Sequence, residues 1–317
     1  MRGCLACGML LVLVATPVLA GAPDEVLVLG LRDSTGALRT CLVDAAGISP
    51  VGEGLAVPRG DGWWRLQRLE RSAANTSETV VFASPARKPV RPPDLVADEG
   101  CEADKTQLLL FVGAEFASVE ESAGGYCQGA AHPYAGVGLR SFRLAPDLEQ
   151  KSLVVEEALG KEARAVFEKA AAAAHGGAEK READCLGDAG PTDWGLVRQE
   201  GKWILRGGLG YLAEACRGNH EYFTVPFDLP AKLTGQAGKA PGFSAVQKEV
   251  PGALDAVVSP SGTFSLVVTP GGLELRAGGK PVASHAVAGA AVVMTQWGLG
   301  KAAARWRSEV RQVLAPK

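Results

Sequence analysis

The chain has 317 residues, of which 47% are hydrophobic, 33 are Lys or Arg and 35 are Asp or Glu. This hydrophobic fraction is too high for a disordered chain, and the near balance of charge argues against a nucleic-acid binder. The 40 glycines and 19 prolines predict many turns. We therefore expect a loop-rich globular protein with one large domain or two ordinary ones.

Residues 1–20 have the pattern of a cleavable export signal. Arg2 gives a basic start, residues 4–14 form an apolar core, and residues 18–20 resemble a small-residue cleavage site. The apolar core is shorter than the roughly 18 residues that a membrane anchor needs. We predict an exported protein, periplasmic or extracellular, with no transmembrane segment after signal removal.

Residues 21–84 are predicted to form a β-rich N-terminal unit. A turn at 33–36 between two apolar runs indicates a hairpin, and a second turn at 61–62 precedes a strand with Trp63 and Trp64. Adjacent strand residues point to opposite faces, so one of these tryptophans is expected to face solvent or a second layer. Both are candidate ligand-binding residues, although packing is the commoner role of such rings.

The proline-rich residues 85–100 are predicted to form a stiff linker or a surface loop. The next unit, 101–235, is predicted to be an α+β unit. Its longest helical pattern runs from 152 to 174, with apolar residues at helical spacing and glycines at the end. We expect this helix to be the one long central helix of the fold, packed on a sheet.

The same unit contains a predicted hairpin at 193–206. Trp194 and Trp203 stand on either side of its polar turn. Tryptophans across paired strands supply a large packing area, which makes a structural role the commoner interpretation. A platform on which sugar rings stack is the alternative.

Five cysteines follow the signal segment. In an exported protein they are candidates for disulfides before they are candidates for metal ligands. We favour two bridges because each would bracket a strand-rich segment, and this choice leaves Cys41 unpaired. The favoured pairs are Cys101 with Cys127 and Cys185 with Cys216.

Residues 105–175 resemble a known family. A strand with Ser118 is followed by Tyr126, the turn 129–133 with the sequence Gly-Ala-Ala-His-Pro, another strand and a helix. This order resembles the extracytoplasmic domain of unknown function found in lysozyme-sensing anti-sigma factors of the RsiV type and in some peptidoglycan deacetylases of the PdaC type. The chain departs from the pattern at Ala130, where the family has a second glycine.

The resemblance implies an α+β fold and a recognition role at the cell wall. Tyr126 and His132 become candidate binding residues, and peptidoglycan or a lysozyme-like protein becomes the candidate partner. The deacetylase activity of such proteins belongs to a separate domain. The resemblance therefore implies binding without catalysis.

Residues 236–317 are predicted to form a β-meander with a C-terminal helix from 299 to 314. The basic face of this helix, with Arg305 and Arg311, is typical of a solvated surface, and contact with an anionic wall polymer or a membrane surface is the alternative. The strands that follow the turn at 259–262 resemble one blade of a β-propeller. A period of about 40 residues does not recur along the chain.

The overall fold class predicted from these patterns is α+β, with mainly antiparallel sheets, one long central helix and a C-terminal helix. A β-propeller-like fold is the alternative. Cys127 and His132 could in principle form a thiol nucleophile and its base, but their spacing does not bring them together. His175, His220 and His285 show no metal-ligand spacing.

We accordingly predict no cofactor, no metal and no catalytic residue. Three function classes remain open at this point. The first is an exported recognition module for a wall component or a wall-active protein. The second is a structural envelope protein without a small ligand, which burial of all six tryptophans would favour. The third is a hydrolase, which would need a histidine beside a carboxylate or a thiol.

Overall fold

The computed structural model describes residues 24–96, 100–128, 134–146, 150–177, 187, 189–210, 220–234 and 242–315. Its strands form four sheets, arranged like the blades of a β-propeller. Almost all strand pairs are antiparallel, as predicted. Of the two fold classes considered from the sequence, the propeller-like alternative is the one that the arrangement of sheets supports.

The first sheet joins the two ends of the described chain. Strand β17 (Ala291–Leu299) pairs antiparallel with β1 (Glu25–Arg32) along the whole length of β1. The segments predicted as an N-terminal unit and a C-terminal meander therefore share one sheet. Its other two strands follow β1 in space and are β2 (Leu38–Asp44) and β3 (Gly47–Glu53).

Strand β1 is buried on both faces because it lies between two hydrophobic cores. Its odd-numbered residues, such as Leu27 and Leu29, belong to the first core. Its even-numbered residues Val26 and Val28 belong to the second core. This position explains why the strand sequence is almost continuously apolar instead of alternating.

The second sheet has six strands and continues across the proline-rich segment. Strands β6 and β7 pair in parallel over four residues, from Thr76 opposite Ala103 to Thr79 opposite Thr106. In spatial order the strands are β4 (Leu55–Arg59), β5 (Gly62–Ala73), β6 (Thr76–Pro85), β7 (Cys101–Val112), β8 (Phe116–Cys127) and β9 (Tyr134–Arg143).

Beyond this short parallel contact, glutamine side chains bridge the strands. The amide oxygen of Gln107 accepts a hydrogen bond from the Val81 backbone N–H at 3.0 Å, and the Gln150 side chain donates to the Val81 carbonyl. Gln107 also donates to Gln150 and to Glu121, both at 2.8 Å. The buried Val81 peptide therefore has partners although the ladder between β6 and β7 has ended.

The third and fourth sheets are antiparallel meanders. The predicted hairpin at 193–206 is confirmed, and its turn places Glu200 and Gly201 at positive φ values of 49° and 76°. The third sheet consists of β10 (Trp194–Gln199), β11 (Lys202–Gly210) and β12 (His220–Val225). The fourth consists of β13 (Asp255–Val258), β14 (Phe264–Thr269), β15 (Gly272–Ala277) and β16 (Lys280–His285).

The prediction of one long central helix is wrong. The chain forms two helices here because Gly160 interrupts them with a φ of 92°, a backbone conformation that favours glycine. The predicted apolar face is nevertheless buried, with Val155 and Phe167 in the first core. The described helices are α1 (Val155–Leu159), α2 (Lys161–Gly177), α3 (Ala231–Thr234), α4 (Phe243–Glu249) and α5 (Lys301–Leu314).

The predicted C-terminal helix is confirmed as α5, which covers the second core. Ala303, Val310 and Leu314 are buried there. One residue of its basic face is not freely solvated, because Arg307 donates hydrogen bonds to Asp24 at 2.6 Å and to Asp44 at 3.0 Å. None of the helices in the described ranges is long and apolar enough to cross a bilayer.

The predicted disulfide between Cys101 and Cys127 is confirmed. It joins the start of β7 to the end of β8, with 26 residues of sequence separation. The other favoured pair, Cys185 with Cys216, lies outside the described residues. Cys41 is buried and unpaired, and burial raises the pKa of its thiol to about 11. It therefore behaves as a small apolar side chain of the first core.

Candidate functional site

The predicted site residues occupy different surroundings. Trp64 is buried in the second core, and Trp63 is half-buried beside a surface cleft. Tyr126 is 43% exposed near the disulfide and is not among the residues that line this cleft. His132 lies outside the described residues. The cleft beside Trp63 is therefore the place where a sequence-predicted binding residue meets a cavity.

This tryptophan cleft has a volume of about 380 Å³ and lies between the β4–β5 hairpin and helix α5. Trp63 and Trp306 form its aromatic wall, with ring centroids 5.6 Å apart and an edge-to-face angle of 67°. The indole N–H of Trp63 donates to Glu309 at 2.7 Å. Because Glu309 belongs to α5, this bond fixes the hairpin and the helix as opposite walls of the same cleft.

Local sequence explains why Trp63 reaches the cleft. Strand β4 turns back into β5 through the glycines on either side of Asp61, and Gly62 has a φ of 127°. Trp63 and Trp64 are the next residues of β5, so the pleat directs them to opposite faces. Trp64 faces the second core, and Trp63 faces α5. One of the two tryptophans therefore meets a second layer, as the strand alternation predicts.

The guanidinium of Arg59 anchors this end of the hairpin. It lies over the Trp64 ring, 4.3 Å from the centroid, and donates to the Leu144 carbonyl at 2.9 Å. Its Nε is also 3.7 Å from the carboxylate of Asp61. Arg59 therefore contributes positive charge to the cleft while its position is fixed by a ring and a carbonyl.

The charge of the cleft is predominantly positive. Three arginines line it, Arg59, Arg87 and Arg305, together with the two carboxylates of Asp61 and Glu309. Both carboxylates are already engaged, Asp61 with Arg59 and Glu309 with Trp63 and with Arg305 at 3.7 Å. An anionic ligand would therefore meet the exposed guanidinium groups of Arg87 and of Arg305, the second of which lies 3.7 Å from Glu309, and an aromatic wall.

Two residues of this cleft are candidates in the sequence for separate reasons. Trp63 was identified as a binding candidate, and Arg305 as part of a basic helix face that could contact an anionic polymer. Trp306 lies on the apolar stripe of the C-terminal helical pattern, which predicts burial, whereas in the structure it lines the cleft. The contact between residue 63 and residue 309 spans 246 residues, a separation for which single-sequence periodicity gives no signal.

The tryptophans of the second hairpin are structural. Trp194 is fully buried and donates to the Leu153 carbonyl at 2.8 Å. Trp203 is 5% exposed and donates to Thr295 at 3.2 Å. These contacts confirm core packing and leave no face of either ring available as a sugar platform.

Among the residues that the structure describes, no group of three or more His, Cys, Asp or Glu side chains has the geometry of a metal site. Within those same ranges, His220 packs on the Tyr222 ring at 4.2 Å between centroids. No protein-family model matches the chain, and no curated protein matches it. The tryptophan cleft is therefore interpreted from its own chemistry.

Proposed function

We propose that this chain is an exported cell-envelope protein that binds an anionic glycan of the cell wall, without catalysis, at the tryptophan cleft. The observation that carries the proposal is the pairing of an aromatic wall, Trp63 and Trp306, with the guanidinium groups of Arg87 and Arg305. Export rests on the pattern of residues 1–20.

The chemistry of the cleft matches a ring that carries acidic groups. Aromatic side chains pack against the apolar face of a sugar ring, and a guanidinium binds a carboxylate through two parallel hydrogen bonds. A volume of about 380 Å³ has room for one or two sugar rings. Peptidoglycan fragments combine sugar rings with carboxylates, which agrees with the partner implied by the family resemblance.

The polar groups of the cleft favour binding over chemistry. The indole N–H of Trp63 is directed to Glu309, and Asp61 is paired with Arg59. A general acid or base needs a proton position that is open to the substrate. Glu309 already accepts a hydrogen bond from Trp63, and Asp61 forms an ion pair with Arg59 at 3.7 Å. We therefore assign these two acids to positioning the aromatic wall and Arg59.

The proposal is tested by titrating the mature protein with a soluble disaccharide-tetrapeptide fragment of peptidoglycan in a calorimeter. We expect binding that weakens as salt is added, since exposed charges are screened. Neutral chitobiose should bind at least about tenfold more weakly, because it lacks the carboxylates. Equal affinity for the two compounds would contradict the role of the arginines.

Charge-reversal variants on the surface provide matched controls. Arg87→Glu and Arg305→Glu should each lower the affinity about tenfold without a change in melting temperature. Arg311→Glu changes the same charge on the same helix but lies outside the cleft, so it should leave the affinity unchanged. A loss in all three variants would indicate nonspecific attraction to a basic helix.

A structural role without a small ligand is the second candidate. The burial of Trp64, Trp194 and Trp203 favours it, but Trp63, Trp297 and Trp306 are only half-buried, so the burial of all six tryptophans that this role predicts is not met. Failure of peptidoglycan fragments and of lysozyme to bind the mature protein would eliminate the recognition proposal and leave this one. Fractionation of cells that express the full chain tests export independently.

A further inference from the structure

A second cleft lies among the four sheets, away from the tryptophans of the first cleft. It has a volume of about 450 Å³ and is lined by residues of β1, β7, β10, β11, β13, β14 and β17. None of its lining residues also lines the tryptophan cleft. We call it the arginine cleft because three arginines line it, Arg32, Arg198 and Arg206.

Arg198 is the most deeply buried of the three. Its side chain is 4% exposed, its Nε donates to Asp255 at 2.5 Å and its Nη2 donates to the Ala256 carbonyl at 2.5 Å. Its Nη1 is buried and has no hydrogen-bond partner among the described residues. A buried N–H group of a cation is costly without an acceptor, and none of the described residues supplies one to this atom.

The positive charge of Arg32 is part-buried and has little negative charge beside it. Its guanidinium donates to the Leu109 carbonyl at 2.5 Å, and within the described ranges no carboxylate lies within 4.0 Å of it. Burial lowers the pKa of Arg32 from its ordinary value, and the negative charge of Glu120 offsets this effect in part. Burial places the charged guanidinium of Arg32 in surroundings of low dielectric constant. An anion in the cleft would stabilise this charge.

The nearby acidic groups already have partners. Asp255 accepts bonds from Arg198 and from the backbone N–H groups of Gly201 and Ala256, both at 2.8 Å. Glu120 accepts from the Tyr222 hydroxyl at 2.7 Å. The pKa of Tyr222 is raised, by burial first and by Glu120 second, so this hydroxyl remains a donor.

Arg206 completes the positive side of the cleft. Its Nη2 donates to the neutral side chain of Gln199 at 3.2 Å, and its guanidinium carbon lies 6.0 Å from the centroid of the Tyr222 ring. The other acidic residue in the lining, Glu200, is exposed at the turn of the hairpin. Arg32 and Arg206 therefore contribute two cations, which contact a carbonyl, a side-chain amide and a ring.

The remaining wall is apolar. Leu254 is 57% exposed at this cleft, one of the most exposed large apolar side chains in the described residues. Aliphatic residues from four strands line the rest of this wall. They include Leu110, Val197, Val268, Val292 and Val293. A ligand that fills the cleft would cover this surface as well as the arginines.

We propose that the arginine cleft is a second binding site, for a small organic acid whose carboxylate is held by Arg32 and Arg206 and whose apolar body covers Leu254. Arg198, whose Nη1 has no hydrogen-bond partner among the described residues, also lines the cleft. The volume falls within the range of small-molecule sites, and guanidinium groups match the planar geometry of a carboxylate. An inorganic anion would leave the apolar wall uncovered.

The test uses 4-phenylbutyrate as the probe acid and 4-phenylbutanol as its neutral analogue, both titrated into the mature protein by calorimetry. We expect the acid to bind at least about tenfold more tightly than the alcohol, because a charge-assisted pair is lost in the alcohol. Equal binding of the two compounds, or no heat with the acid, would overturn the proposal. Displacement of the acid by an equal concentration of inorganic phosphate would also overturn it.

The variants separate this site from the tryptophan cleft. Arg32→Gln and Arg206→Gln should each weaken 4-phenylbutyrate about tenfold, whereas Arg164→Gln on the surface of α2 should not. Arg206→Gln leaves the buried hydrogen bonds of Arg198 intact, so we expect this variant to fold. It therefore tests the proposal even if Arg32→Gln fails to fold. Both variants should retain the peptidoglycan-fragment affinity, and Arg87→Glu should retain the 4-phenylbutyrate affinity. Unchanged acid binding in Arg206→Gln would contradict the assignment.

Discussion

The chain contains two hairpins that each carry two tryptophans, β4–β5 with Trp63 and Trp64 and β10–β11 with Trp194 and Trp203. In the first hairpin the tryptophans are consecutive, so the pleat separates them onto opposite faces. In the second they are on different strands and on the same face. Register explains this difference, because Trp203 pairs with Arg198, and residues 194 and 198 share a face of β10.

The two hairpins are otherwise anchored in the same way. Each has a sheet-edge strand whose backbone bonds to a buried hydroxyl of a neighbouring sheet. In the first, Ala56 N–H donates to Thr40 at 3.0 Å. In the second, Leu196 N–H donates to Ser118 at 3.0 Å. Similar docking with different tryptophan spacing therefore yields one hairpin with a tryptophan that borders a cleft and one whose two tryptophans fill a core.

The largest expected effect that tests this comparison comes from Trp194→Ala. Trp194 is fully buried and its indole bonds to Leu153, so we expect a loss of about 3–5 kcal/mol in the free energy of unfolding. Chemical denaturation of the protein measures this loss. Trp63→Ala should cost clearly less, since its ring is half-buried at a surface. Equal losses would show that both rings are core residues.

The sequence predicted the features that depend on near neighbours. The turns at 33–36 and 61–62, the hairpin at 193–206 and the amphipathic face of α5 follow from residue spacing over short ranges. The bridge between Cys101 and Cys127 also joins residues at the ends of one hairpin. Each of these predictions needed information from one stretch of chain.

The features that the sequence did not predict depend on contacts between distant segments of the chain or on the backbone conformation of a single residue. The pairing of β17 with β1 and the parallel contact of β6 with β7 join segments that local patterns treat separately. Gly160 lies within a helical apolar pattern, and only the three-dimensional context assigns its left-handed conformation. Trp306 lies on the apolar stripe of α5, and a helical stripe does not reveal which of its members borders a cavity.

Acid pH should weaken the sheet that carries the first hairpin through Glu121. Burial favours the neutral form of this group, but hydrogen bonds from Gln107 and Arg140 and the charge of Lys105 outweigh burial and lower its pKa. The stabilisation that the Glu121 carboxylate gives to the folded protein is therefore complete above the pKa of the unfolded state, about 4.3. It is lost as the pH falls through the lower pKa of the folded state. Hydrogen exchange in β7–β9 should rise in acid before exchange in β10 and β11.

The variant that isolates this effect is Glu121→Gln. At neutral pH it should cost about 1.5–3 kcal/mol, since it replaces a charged acceptor of Arg140 and Lys105 by a neutral amide. In acid the difference between the variant and the unmodified protein should shrink. A difference that is constant with pH would assign the effect to packing and not to the carboxylate.

The hydroxyls of Ser118 and Thr40, which accept hydrogen bonds from the two hairpins, provide a matched pair of variants with a smaller expected effect on stability. Ser118→Ala leaves the buried Leu196 N–H without its acceptor, and Thr40→Val leaves the Ala56 N–H in the same state. Each should cost about 1–3 kcal/mol by chemical denaturation. Similar values would support equivalent docking of the two hairpins. A negligible cost for Thr40→Val alone would show that water replaces this hydroxyl at the first hairpin.

The smallest expected effect concerns the indole N–H of Trp63. Trp63→Phe retains an aromatic ring but removes the bond to Glu309, whose side chain is 34% exposed and can be hydrated instead. We expect a loss of about 0.5–1 kcal/mol in stability. Trp203→Phe should cost more, because its partner Thr295 is 2% exposed. If peptidoglycan-fragment binding survives Trp63→Phe but not Trp63→Ala, the ring face is the recognition element. Comparable stability losses at positions 63 and 203 would instead make Trp63 a structural residue, and the contrast between the two hairpins would disappear.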